Sequence, residues 1–121
     1  MHLEKRIHPR ISVNVPVQYQ VVENPSNPKS IPQHRKTPRV TKTLDVSLSG
    51  VFLLADMALE VGTVLSLEIT LPGLPPLSIF GEVVWSTDTG LGLQFRPMKE
   101  KDRNILNLFL YQKSRPKRTV Q

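Results

Sequence analysis

Val64-Leu65-Ser66-Leu67-Glu68-Ile69-Thr70-Leu71 carries apolar side chains at 65, 67, 69 and 71 and polar ones at 66, 68 and 70. Alternation over seven residues puts the apolar set on one face of an extended chain; on a helix the same residues would scatter around the axis. The stretch is therefore a half-buried strand, and its pattern recurs on both sides. Upstream, Val13, Val15, Val17, Tyr19 and Val21 alternate with Asn14, Gln18 and Gln20 in a strand expected over 10–22, followed by strands at Val40–Leu44 and Val51–Ala55. Downstream, Leu77–Trp85 and Gly90–Arg96 bring the number to six. Turn chemistry separates them at Asp45–Gly50, Pro72-Gly73-Leu74-Pro75-Pro76 and Ser86–Thr89.

After Pro97 the period lengthens. Met98, Asp102, Ile105, Leu106, Phe109 and Leu110 recur at three- and four-residue steps, with Glu100 and Asp102 in the first turn, where the helix dipole favours acids. Short antiparallel strands at even spacing, then one helix, predict an all-β fold with one helix: a six-stranded antiparallel β-barrel plus a C-terminal α-helix. No internal repeat is evident, and 121 residues suit a single core. Residues 1–10 are expected to form a flexible N-terminal arm and 11–112 the barrel and helix. Within the barrel, 23–38 reads as a long mobile loop, since Pro25, Pro28, Pro32 and Pro38 stand among polar and basic residues with nothing to bury; 113–121 reads as a disordered basic tail. Trp85 is in phase with Ile79 and Val83 and is assigned to the core rather than to a stacking surface. The stripe Ile105, Leu106, Phe109 is expected to pack on the barrel, with dimerisation as the alternative, so monomer and dimer both stay open.

Charge is strongly segregated. Residues 1–42 hold eight basic and two acidic side chains, 43–95 hold six acids and no Lys or Arg, and 96–121 again hold eight basic and two acidic. An anionic partner must therefore be gripped by the two ends of the chain rather than by its middle. Enzymatic chemistry finds no support. There is no cysteine, no HExxH, GxSxG or Gly-rich phosphate loop, and His2, His8 and His34 fall in segments expected to be flexible, at spacings that suit no metal. The chain reads as a non-enzyme without metal or cofactor. No stretch approaches the roughly 18 apolar residues that cross a bilayer, so no membrane insertion is expected, and the cytoplasm is the expected compartment.

Two motifs carry chemistry. Arg6-Ile7-His8-Pro9-Arg10 is an RxxxR just ahead of the first strand; Pro9 turns His8 away from helical dihedrals, so the arginines do not stack along a helix. Guanidinium groups bond phosphate oxygens, or the O6/N7 edge of guanine, in bidentate fashion. A second RxxxR, Arg35-Lys36-Thr37-Pro38-Arg39, shows that the spacing alone proves nothing. Asp45-Val46-Ser47-Leu48-Ser49-Gly50 is a DxSxxG at a strand end. Asp45 and Ser47 would point to one side if the strand continues through them, and Gly50 can take the positive φ of a tight exit. A carboxylate beside a hydroxyl suits the adjacent N1–H and N2–H donors of guanine; the same residue types also nucleate turns by bonding their own backbone.

The sequence of features, RxxxR before the first strand, DxSxxG after the second, then Gly-Glu-Val-Val-Trp at 81–85, Gly-Leu-Gly-Leu-Gln-Phe at 90–95 and a helix, resembles a PilZ domain over about residues 4–112. The resemblance implies a small antiparallel barrel that binds the bacterial second messenger cyclic di-GMP without catalysis. It implies that Arg6 and Arg10 grip phosphates and guanine edges while Asp45, Ser47 and Gly50 form the barrel half of the site, with Lys5, His8 and Ser49 as additional candidates. By chain order it sets aside Arg35 and Arg39, which follow the first strand. Lys5 stands where many relatives carry a further arginine, at a position that in this family influences whether one ligand or a stacked pair binds. A downstream protein partner is implied as well. The alternatives are a small nucleic-acid-binding barrel, disfavoured because aromatics are only 6% of residues and nearly all sit at core-phase positions, and a protein-interaction adaptor of the same type that binds no nucleotide.

Overall fold

The computed structural model describes residues 9–23 and 37–114. Seven strands are present among them: β1 (Ile11–Ser12), β2 (Pro16–Glu23), β3 (Arg39–Val46), β4 (Gly50–Leu54), β5 (Val64–Ile69), β6 (Leu77–Ser86) and β7 (Gly90–Phe95), followed by α1 (Glu100–Ser114). Every pairing is antiparallel, and the order β3-β2-β5-β6-β7-β4 closes on itself through β3 and β4. The six-stranded barrel expected from the sequence is thus present, with β1 as an extra short strand on the end of β3. Closure leaves no long free edge, and the alternating strands turn their apolar faces inward. Val17, Leu53, Leu65, Ile69, Leu77, Val83 and Leu91 are all buried there.

The single strand expected over 10–22 divides in two. Pro16 opens β2, a position that needs no N–H from it. Ahead of it, the buried Thr43 hydroxyl stands in for a backbone group. It accepts from the Val15 N–H at 3.0 Å and donates to the Val13 carbonyl, while the Thr43 N–H donates to the Val15 carbonyl at 3.0 Å. The inward phase survives, so Val15, Val17, Tyr19 and Val21 are buried as the alternation requires.

A register shift between Val83 and Trp85 in the β6–β7 ladder has the opposite outcome and corrects the placement of Trp85 in the core. A bulge sets two residues of one strand against one of the other, so the alternation slips by one position. Val83 is buried, and Trp85 lies outside, 37% exposed. The helix behaves as its spacing demands. Leu106, Phe109 and Leu110 are buried against the barrel core, which settles the packing of that stripe, and Ile105 and Met98 are partly buried beside them. Helix α1 continues through Ser114, so Lys113 and Ser114 are helical and do not begin the tail expected from 113. Likewise Glu23 belongs to β2, and the part of the expected 23–38 loop at 24–36 lies outside the described residues.

Candidate ligand-binding corner

Strand β1 pairs with the far end of β3, Ile11 opposite Val46 and Ser12 opposite Asp45. This short ladder carries Arg10 to the carboxylate end of β3, where its Nη1 lies 3.8 Å from Asp45 Oδ2. The two side chains are 44% and 21% exposed. An ion pair that long and that wet contributes less than about 1 kcal/mol to the fold, so either partner is free to be recruited by a ligand. Residues from the two sequence motifs therefore meet at one corner of the barrel.

Beyond Val46 the strand ends, so Ser47 does not extend the Asp45 face as a continuing strand would. Its side chain is turned into the hairpin. Ser47 Oγ accepts from the Ser49 N–H at 3.1 Å and the Gly50 N–H at 3.2 Å, and lies 3.2 Å from Ser49 Oγ. The Ser47 N–H donates to the Gly50 carbonyl at 2.9 Å. With Ser47 only 4% exposed, its first task is structural: it satisfies two turn donors that would otherwise lack partners. Gly50 also differs from expectation. Positive φ occurs at Gly62 (97°) and Gly73 (76°) but not at Gly50. What Gly50 supplies is close approach, because a Cβ there would run into the Leu93 carbonyl oxygen of the neighbouring strand. Ser49 is exposed, and its carbonyl accepts from the Phe95 N–H at 2.8 Å. Lys5, Arg6 and His8 lie outside the described residues.

Two residues that sequence reasoning left out of the site adjoin it. Directly opposed residues of an antiparallel ladder share a face. Asp45 pairs with Phe52, Phe52 with Gly92 and Gly92 with Trp85, so one row on the barrel exterior runs from carboxylate to indole. The Phe52 and Trp85 rings meet at 4.7 Å between centroids, tilted by 47°. They fit because β7 offers no side chains beneath them: a Cβ on Gly90 would strike the Phe52 ring and one on Gly92 the Trp85 indole. The signal was available in Gly-Leu-Gly-Leu at 90–93, since two bare outward positions on a strand call for something to cover them. No cluster of His, Cys, Asp or Glu among the described residues could hold a metal ion, and no described helix is long and apolar enough to cross a membrane.

A closed antiparallel barrel with one C-terminal helix and an Arg–Asp corner at the mouth of its β3–β4 hairpin defines the class. Residues 4–112 match the model of the PilZ domain, and the chain belongs to the PilZ domain family. Among solved structures it is similar to the PilZ domain of YcgR from Escherichia coli, determined with c-di-GMP (TM-score 0.68, 14% identity, 91% of this chain and 92% of that one). It is also similar to the PilZ domain of CeSA from a cellulose-synthesizing bacterium (0.61, 13%, 86% and 96%). The inhibitor of motility MotI/DgrA of Bacillus subtilis matches over 91% of this chain (0.69, 14% identity), which spans 52% of that protein. At these identities the likeness is one of fold. A search of the curated proteins finds no match.

Proposed function

We propose that the chain is a non-catalytic receptor for cyclic di-GMP that uses no cofactor and acts in the cytoplasm. The leader of residues 1–10 closes over the ligand, with Arg6 and Arg10 on its phosphates and guanine edges and Lys5 and His8 alongside. Asp45 accepts from the N1–H and N2–H of one guanine, while Ser47, Ser49 and Gly50 shape the corner that presents it. The observation that carries this reading is the 3.8 Å approach of Arg10 to Asp45, which joins the two motifs on one exposed corner at almost no benefit to the fold. The row through Phe52 and Trp85 gives the flat base an adjacent aromatic surface. Family membership and the YcgR structure with c-di-GMP support the choice of ligand.

Signalling follows from what the ligand gathers. Ordering a residue costs roughly 1 to 2 kcal/mol and a charge-assisted hydrogen bond returns about 1.5 to 3 kcal/mol, so the bonds to the ligand must together outweigh the ordering of every residue they fix. The covered corner is then a new surface for a downstream protein. Calorimetry with cyclic di-GMP tests this. Wild-type protein should bind, and Arg6→Ala and Arg10→Ala should each lose most of the affinity while melting at nearly the wild-type temperature. Wild-type affinity in both variants would refute the assignment.

A further inference from the structure

Arg39, the described arginine of the second RxxxR, stands apart from the corner at Asp45. It opens β3 at the opposite end of the barrel, where Arg39 Nη1 lies 3.6 Å from Asp56 Oδ1. The pair sits in a groove of ≈ 500 Å³ that Tyr19, Thr41, Asp88 and Thr89 also line. That volume falls within the roughly 300–1,000 Å³ of small-molecule sites. The groove exists because the β3–β4 ladder stops at Thr43 and Leu53; beyond it the tie is the Thr41 hydroxyl, which donates to the Leu54 carbonyl at 2.7 Å.

The groove repeats the chemistry of the first corner. Thr87–Gly90 is bonded in the same way as Ser47–Gly50. The Thr87 N–H donates to the Gly90 carbonyl at 2.9 Å, and Thr87 Oγ1 accepts from the N–H groups of Thr89 and Gly90 at 3.2 and 3.0 Å. An Arg–Asp pair stands beside each turn, at 3.8 Å in one and 3.6 Å in the other. Burial of the Tyr19 ring pushes its phenol above the usual tyrosine range; Arg39 pulls it down and Asp56 raises it. Tyr19 therefore keeps its O–H at neutral pH.

One guanidinium faces two carboxylates here, which selects among ligands. A polyanion is repelled by Asp56 and Asp88, and a simple cation by Arg39. What fits is an edge with an acceptor next to paired donors. Guanine has such an edge, with O6 beside N1–H and N2–H₂, and its N7 lies within reach of the same guanidinium that bonds O6.

We infer that the Arg39–Asp56 groove is a second guanine site, which takes a single guanine nucleotide with its base against Arg39 and Asp56 and its phosphate in solvent. The site does not depend on any binding at the Asp45 corner. The experiment is titration of the full chain with 5′-GMP, and separately with 5′-AMP, followed by amide chemical shifts. GMP should move the amides of Thr41, Ala55, Asp88 and Thr89, with AMP at least about tenfold weaker. Arg39→Gln and Asp56→Asn should each weaken GMP at these amides by about tenfold or more, and Asp88→Asn by less. No response of the groove at millimolar GMP, equal binding of AMP, changes confined to Ser47–Gly50, or unchanged binding in both Arg39→Gln and Asp56→Asn would each overturn the inference.

Discussion

The turns Ser47–Gly50 and Thr87–Gly90 share one scheme of donors and acceptors and close hairpins at opposite ends of the paired strands β4 and β7. Their settings differ. Ser47 is buried and Gly50 presses on the backbone of Leu93, whereas Thr87, Asp88 and Thr89 are exposed and Gly90 lies under the ring of Phe52. The hydroxyl turn is thus a device for ending a hairpin in either setting. Recognition comes from what the surrounding strands bring beside it. At the first turn that is Arg10, delivered by β1, and Asp45; at the second it is Arg39 with Asp56.

The glycines break the comparison most sharply. A methyl group at 50 meets backbone that cannot give, so Gly50→Ala should cost about 3 kcal/mol in urea unfolding, whereas at 90 it meets chiefly the Phe52 ring, and Gly90→Ala should cost about half that. Equal losses would mean that β7 yields as easily at both ends. Next in size, Arg10→Ala should weaken cyclic di-GMP by about 100-fold, about 2.7 kcal/mol, with a melting temperature close to wild type, because its ion pair is long and exposed. A large drop in melting temperature would turn Arg10 into a structural residue. Removing the turn hydroxyls comes third. Ser47→Ala empties a buried hydroxyl position that serves the Ser49 and Gly50 N–H groups and should cost about 2 kcal/mol, while Thr87→Ala removes an exposed hydroxyl, leaves the Thr89 N–H to water and strands only the Gly90 N–H, and should cost about 1 kcal/mol.

The smallest effect concerns Tyr19. Its pKa in the folded chain is raised, so the stability it contributes is intact below the ordinary tyrosine value near 10 and is lost as pH climbs through the folded value. Ultraviolet titration should show Tyr19 ionising above the ordinary tyrosine value, with unfolding free energy falling on the alkaline side. A single transition at the ordinary value would contradict the burial argument.

Strand and helix periods carried most of the fold. Leu65–Leu71 alternates so strictly, and Leu106, Phe109 and Leu110 return at such regular steps, that local pattern and tertiary burial agree. Where the reading failed, the cause lay in a partner strand. Trp85 is in core phase until the ladder with β7 slips at Val83, and the strand over 10–22 looks continuous until the Thr43 hydroxyl, 28 residues from Val15, takes a place in its ladder. Gly50 was legible as a special position, but the reason is the carbonyl of Leu93 rather than its own φ. In the site, Asp45 and Ser47 stand out by residue type. That Arg10 reaches Asp45 depends on the two-residue ladder of β1 with β3, and so does not follow from any local pattern.

Amide chemical shifts on stepwise addition of cyclic di-GMP show whether ligand occupies the Arg10–Asp45 corner, because every turn N–H reports its own environment. Arg10, Asp45 and the Ser47–Gly50 turn should move first and furthest, together with the Trp85 indole. Saturation of the protein with the Ser47–Gly50 amides and Arg10 unmoved would contradict binding at that corner.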